Sequence, residues 1–188
     1  MEATGLLMEE HRVIERLLAS MEKAAGRLEA DEAFRVGFFL DAAEVIKGFA
    51  DGCHHRKEEG ILFPAMEAAG VPREGGPIGV MLAEHEEGRR LTRAMRGAAE
   101  RVLHGDMSAK RSVGENARGY TVLLRQHIAK EDGVLFPMAD RALQGAAAHE
   151  MAEAFEKVER QETGEGVHEK YLGMVEALER EVGGWLAP

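Results

Sequence analysis

One eleven-residue phrase occurs twice in this chain. HHRKEEGILFP (His54 to Pro64) and HIAKEDGVLFP (His127 to Pro137) are identical at seven positions, and two further pairs, Glu59 with Asp132 and Ile61 with Val134, are conservative. The copies lie 73 residues apart, and a weaker pair precedes them at a shift of 74: EEHRVIERLLASM (Glu9 to Met21) matches AEHEEGRRLTRAM (Ala83 to Met95) at Glu10, His11, Arg16, Leu17 and Met21. A duplicated unit of this length leaves few ways to fold, because two copies facing each other close one core about a pseudo-twofold axis.

The period inside the unit is helical. Leu6, Leu7, His11, Ile14, Leu17, Leu18 and Met21 recur at three and four, and no useful alternating β-branched run appears, so the class is all-α. Asp31 reads as an N-cap, GVPREGGP (70–77) as a loop with Pro77 near the next helix start, and Gly105-Asp106 as a break before Ser108. Four long helices are expected near 4–28, 32–68, 78–104 and 108–143, making an antiparallel up-down four-helix bundle over residues 1–145. A fifth amphipathic segment near 147–181 carries Met151, Phe155, Val158, Val167, Tyr171, Met174, Val175 and Leu178, with a break at Gly164 and Gly166. This C-terminal extension, 146–188, is expected to pack on the bundle or on a partner, which leaves a homodimer open. Gly37, Gly48, Gly97 and Gly119 fall inside predicted helices, each costing roughly 1 kcal/mol relative to Ala, and close helix approach is one reason to keep them.

Charge and cysteine content narrow the chemistry. Asp plus Glu number 34 against 24 Lys plus Arg, a formal charge of −10 that disfavours nucleic acid. The most apolar long stretch, Val36 to Ala50, is interrupted by Asp41, Glu44 and Lys47, so no membrane span is expected. The opening MEATGLLMEEH is acidic rather than basic and does not read as a signal peptide, which places the chain in the cytoplasm. With Cys53 as the single cysteine, an internal disulfide and a thiolate zinc site are both excluded. Any metal is left to His and carboxylate.

Each half supplies a lone His and, 43 or 42 residues later, a His-x-x-x-Glu: His11 with His54 and Glu58, then His85 with His127 and Glu131. The i, i+4 spacing stacks each His and Glu on one helix face, so four imidazoles and two carboxylates can converge inside the bundle. Such a set is costly to bury without a cation, and nitrogen and oxygen donors without sulfur suit iron, manganese or zinc. Two carboxylates among four His invite a bridged pair of ions with an open coordination position. Taken singly, a lone His is more often a surface or hydrogen-bonded residue, and one His-x-x-x-Glu is common on solvated helices. The duplication changes that balance, because the offsets persist while the interposed residues drift, His55 to Ile128 and Arg56 to Ala129. The LFP tails read as core packing with a Pro kink or helix end.

Met8 to Met138 resembles the hemerythrin-like, or HHE cation-binding, family, whose motif is a His, a His-x-x-x-Glu ending in LFP, a second His and a second His-x-x-x-Glu. The HxxxEExxLFP form is more similar to the iron-sulfur cluster repair di-iron branch than to the invertebrate oxygen carriers. The resemblance implies a non-haem di-iron centre, oxo- or carboxylate-bridged, with His11, His54, Glu58, His85, His127 and Glu131 as ligands and the two Glu as bridges; manganese or zinc are the other metals that fit. The carriers have a His pair at i, i+4 on the third helix, where this chain has Met81 and Arg89 beside His85, so a fifth His is missing there. They also have an Asp five residues after the last His. Asp132 falls at that place, but the repeat aligns Glu131 with Glu58, which makes Glu131 the bridge and Asp132 a supporting or substitute ligand.

Other residues are placed around this set. The missing ligand position is open to His55, Asp132, His168 or Tyr120; His55 follows His54 and so points about 100° away, which favours the edge of the site or a place behind its ligands over ligation. His168 could cap the bundle, whereas His104 and His149 read as surface residues. Tyr120, seven before His127, could hydrogen-bond a metal-bound oxygen or serve as a half-buried bundle tyrosine. Cys53 is either a small core residue or a redox-active thiol. The function implied by the resemblance is handling of dioxygen, peroxide, nitric oxide or iron, in sensing, storage or stress response. The competing readings are a zinc or manganese hydrolase or transferase, which the absence of HExxH opposes, and a metal-controlled interaction module.

Overall fold

Leu7, Leu17, Leu18, Met21 and Ala24 put one apolar stripe along the first helix, and the same period runs through the others, so each helix has a face to bury. The computed structural model describes residues 3–158 and 166–185. All elements among the described residues are helical, and none of these helices is long and apolar enough to cross a membrane.

Helix α1 (Ala3–Glu29) ends where Asp31 takes a left-handed conformation, φ 52°, and the Glu32 N–H turns back to the Arg27 carbonyl at 3.0 Å. Asp31 thus stops one helix rather than capping the next. Its carboxylate accepts from Lys110 at 2.7 Å, and the second long helix begins at Phe38 instead of near residue 32. That helix comprises α2 (Phe38–Val45), a π-wound segment (Ile46–His55), a second π-wound turn (Glu58–Leu62) and α3 (Phe63–Ala68). After the 70–76 loop come α4 (Pro77–Leu103), a 3-10 turn (Met107–Ala109), α5 (Lys110–Lys130), another π-wound turn (Glu131–Leu135) and α6 (Phe136–Ala142).

The two LFP phrases explain the matched π turns. Pro64 and Pro137 lack an N–H, and in a tight α-helix their rings press on the carbonyl four residues back. A wider turn upstream relieves that contact, and the helix continues past each proline to Ala68 and Ala142. The prolines therefore mark a change of winding rather than a helix end, and each wide turn starts at the Glu of a His-x-x-x-Glu.

The helices close as expected, α4 against α5, α1 against α5 and α2 against α4. Met21, Phe38, Phe49, Met95 and Val113 fill the centre, each burial worth about 1.5–3 kcal/mol. The fifth segment is two helices, α7 (Ala146–Lys157) and α8 (Val167–Gly184). Gly166, φ 81°, precedes α8, and Gly164 lies outside the described residues. Helix α7 lies on α1 and the Glu58–Leu62 turn, whereas α8 lies on α1 and α2. The Tyr171 ring fills the space where a Cβ at Gly48 would be, 1.8 Å from its hydroxyl, and Arg16 pairs with Glu179 at 2.9 Å. Close approach accounts for Gly48 but not for Gly97, which has nothing within 4 Å.

Candidate metal centre

Five histidines and two glutamates meet in the interior, all at most 3% exposed. His11 comes from α1 and His85 from α4. His54 and His55 close the first π-wound segment, His127 sits in the last turn of α5, and Glu58 and Glu131 open the two π turns. Two groups form: His11, His54, Glu58 and Glu131, and His55, Glu58, His85 and His127; in each, the potential ligand atoms lie within 4.8 Å of one another. Both carboxylates span the groups. Glu58 turns Oε1 toward His54 Nε2 at 3.5 Å and Oε2 toward His85 Nε2 at 3.4 Å; Glu131 turns Oε2 toward His11 Nε2 and Oε1 toward His127 Nε2, both at 3.1 Å.

Every imidazole is held from behind by a carboxylate at Nδ1. The pairs are His11 with Asp132 (2.7 Å), His54 with Glu10 (3.0 Å), His55 with Asp51 (2.9 Å), His85 with Glu59 (2.7 Å) and His127 with Glu84 (2.9 Å). An ionised carboxylate only accepts, so Nδ1 carries a proton and Nε2 is the nitrogen that faces inward. The pattern follows the duplication. Each lone His is gripped by the opposite half, His11 by Asp132 and stacked on Phe136 (5.3 Å), His85 by Glu59 and stacked on Phe63 (6.0 Å). The other His of each half leans on the Glu that precedes the lone His, and that Glu is tied in turn by a lysine, Lys57 to Glu10 and Lys130 to Glu84.

This donor set fits cations and little else. His11, His54 and His55 Nε2 and all four oxygens of Glu58 and Glu131 are buried without a hydrogen-bond partner, and His85 and His127 point Nε2 at each other across 3.1 Å. Unpaired oxygens and inward-facing nitrogens in a dry core cost several kcal/mol unless something positive sits among them. The titration behaviour reports the same strain. Burial, and then the Glu131 carboxylate, push Glu58 well up; Glu131 is carried down, against its burial, by His127 and His11. Burial with the neighbouring His11 takes His54 down to about 4, and His55 is depressed by burial and by His85. His127 is raised, in spite of burial, to about 9 by Glu131 and Glu84. Carboxylate-held imidazoles around shared carboxylates are the arrangement in which outer residues fix ligand orientation and basicity.

Comparison with known proteins agrees with this geometry. The model of the hemerythrin HHE cation-binding domain matches residues 2–139. The chain belongs to that family. Among curated proteins, uncharacterized proteins Rv1995 of Mycobacterium tuberculosis and Mb2018 of Mycobacterium bovis are each 28% identical over 177 residues, covering 94% of this chain and 69% of theirs. No solved structure matches. The family's cation-binding character and the two His/Glu groups together support metal binding by this hemerythrin-type bundle.

The structure brings together all six residues of the family motif and adds His55. The sequence expectation placed His55 at the edge of the site or behind its ligands; instead its ring stacks on His85 at 3.9 Å and its Nε2 joins the second group. The cause is the π winding of Ile46–His55, which turns two consecutive histidines inward. The sequence signal was present as Asp51 four residues before His55, a pair that Leu124 and Ile128 replace in the other half. Asp132 stands behind His11, shared with Arg12, rather than in either group. Tyr120 lies outside both groups, in the main core near Gly88, where the bundle-tyrosine reading puts it, and its buried hydroxyl has no hydrogen-bond partner. His168 is likewise outside, packed edge-on to Phe49 at 5.2 Å and grouped with Glu10 and Cys53. Cys53 is buried, its thiol 3.9 Å from Glu10. His104 and His149 are exposed, as expected. Sequence reasoning missed the supporting carboxylates Glu10, Asp51, Glu59 and Glu84.

Proposed function

We propose that this hemerythrin-family chain carries a dinuclear iron centre that handles dioxygen, peroxide or nitric oxide, in sensing, storage or stress response. The observation that carries this reading is that Glu58 and Glu131 each direct one oxygen to either group of histidines. His11 and His54 serve one ion and His55, His85 and His127 the other, so His55 supplies the fifth imidazole that Met81 leaves missing beside His85. Nitrogen and oxygen donors admit manganese or zinc as well, and of these zinc has no redox chemistry to offer dioxygen. When bound, a pair of redox-active ions supplies electrons to the small ligand.

The chain's own residues orient and exclude. The five carboxylates at Nδ1 fix each ring and its tautomer. Phe63 and Phe136, stacked on His85 and His11, wall the two ends against water. With two imidazoles against three, the His11 side would hold an ion with fewer protein ligands and would leave more room there for an exogenous ligand. The test is metal content and absorption of anaerobically purified protein before and after air, repeated for Glu58→Ala. About two irons per chain with near-ultraviolet bands that the substitution removes is the expected result. Zinc alone, or no metal, overturns the reading.

A further inference from the structure

The pseudo-twofold axis relates two surface grooves beside the histidine cluster, and among the described residues a helix lies over only one of them. In the first half, Leu6 and Leu7 of α1 and Ile61 and Leu62 of the π turn lie under α7, whose Met151 and Phe155 are buried with Leu7 and Leu62 in one cluster. The shifts of 74 and 73 carry these four residues to Val80, Met81, Val134 and Leu135. There, with Pro77 and Lys130, they line an open cavity of about 260 Å3, and Val80 and Val134 stand 47% and 54% exposed. The lysines behave alike: Lys57 is wholly buried, whereas its counterpart Lys130 is 41% exposed at the rim of the open groove.

We propose that the Val80/Val134 groove docks an amphipathic helix of a second protein, one that presents two large apolar side chains four residues apart and an acidic flank. The covered groove defines that chemistry. Helix α7 places Met151 and Phe155 one turn apart on its buried face and carries Glu150, Glu153 and Glu156. The apolar pair of the incoming helix would cover Val80 and Val134, and its acidic flank would join Glu84 at Lys130, which stays 41% exposed while so paired. Helix-in-groove recognition of this kind reads side chains at one-turn spacing. The docked helix would sit one turn from His85 and from Glu131, beside the Lys130–Glu84–His127 chain, though the proposal stands whether or not metal occupies the centre.

The probe is this chain's own residues 146–157, AAAHEMAEAFEK, made as a labelled peptide and cross-linked on its polar face, because twelve residues alone form a marginal helix. Fluorescence anisotropy with the full chain is expected to show saturable binding, weakened roughly tenfold or more by Val134→Glu or Val80→Glu and by Phe155→Ala in the peptide. Val122→Glu, at a valine 55% exposed on α5 and outside the groove, is expected to change nothing. No saturation by about 1 mM peptide overturns the proposal, as does binding that neither groove substitution affects. A sedimentation dimer that Val134→Glu dissociates and the peptide does not compete would assign the groove to a second copy of this chain instead.

Discussion

In the half built from α1 and α2, positions 51 and 55 hold Asp and His; in the half built from α4 and α5, the equivalent places hold Leu124 and Ile128. Around them the halves agree closely. Glu10 and Glu84, Lys57 and Lys130, Phe63 and Phe136, and Glu59 and Asp132 take matching places behind and beside the histidines. The comparison teaches where a duplicated site is free to change. The carboxylates that aim the imidazoles are kept in both copies, and asymmetry enters as a complete unit, a ring together with the acid that orients it.

The strongest way to break this comparison is to remove what both halves share. Glu58→Ala takes one oxygen from each group, and metal content is expected to fall from about two ions per chain to nearly none. Ions present at a hundredfold their Kd contribute about 2.7 kcal/mol per site, so chelation should lower the melting temperature of the unmodified chain by roughly 10–20 °C. Calorimetry with and without chelator checks this. A variant retaining one ion at full occupancy would show that the halves load separately.

Next is pH, which separates two equivalent histidines. His54 is depressed to about 4 by burial and the His11 imidazole; a depressed group contributes stability above its unfolded value near 6.5 that is lost as pH falls through about 4. His127 is burdened by burial yet raised to about 9 by Glu131 and Glu84, and a raised group contributes stability below 6.5 that is lost as pH rises through about 9. The metal-free chain should therefore weaken on both sides of pH 6.5, through the first half in acid and the second in alkali, each by about 3 kcal/mol at the limit. Urea melts from pH 4 to 9 decide it, and a monotonic profile would contradict the opposite shifts.

Copying the second half into the first sharpens the comparison. Asp51→Leu with His55→Ile reproduces Leu124 and Ile128, and one ion should bind 100-fold or more weakly, with a smaller change at the other through the shared Glu58 and Glu131. Asp51→Leu alone, which leaves the ring but not its support, should cost about 10–100-fold. Competition against a calibrated chelator reads both, and equal loss of the two ions would refute the assignment of His55 to one group. The smallest effect is expected at Gly48. Its counterpart, Thr121, carries a side chain that is buried as well; Gly48→Ala drives a methyl into Tyr171 and should cost about 1–3 kcal/mol in urea unfolding, with metal content intact.

How far the chain could be read beforehand follows the same division. Apolar residues at three and four and the repeat of a whole hairpin specify helices that must face each other, so the bundle was legible, as were the six motif residues that meet in its interior. Asp31 misled because a residue that favours caps also tolerates the left-handed conformation that ends a helix. His55 was misplaced because a fixed angle per residue assumes α winding, and nothing in that rule foresees a wide turn. Glu10, Glu59 and Glu84 were hidden for another reason: on a helix wheel they resemble any solvated acid, and only the crossing of chains reveals which imidazole each one reaches.

A carboxylate whose two oxygens face different neighbours links the fates of those neighbours. The first cation to enter would draw Glu58 and Glu131 into a fixed pose and relieve their mutual repulsion, leaving two preset oxygens for the second. The linkage is reciprocal, since whatever factor one ion applies to the other's affinity is returned in the same measure. The two groups should then not fill as independent sites, and occupancy of one should be felt at the other.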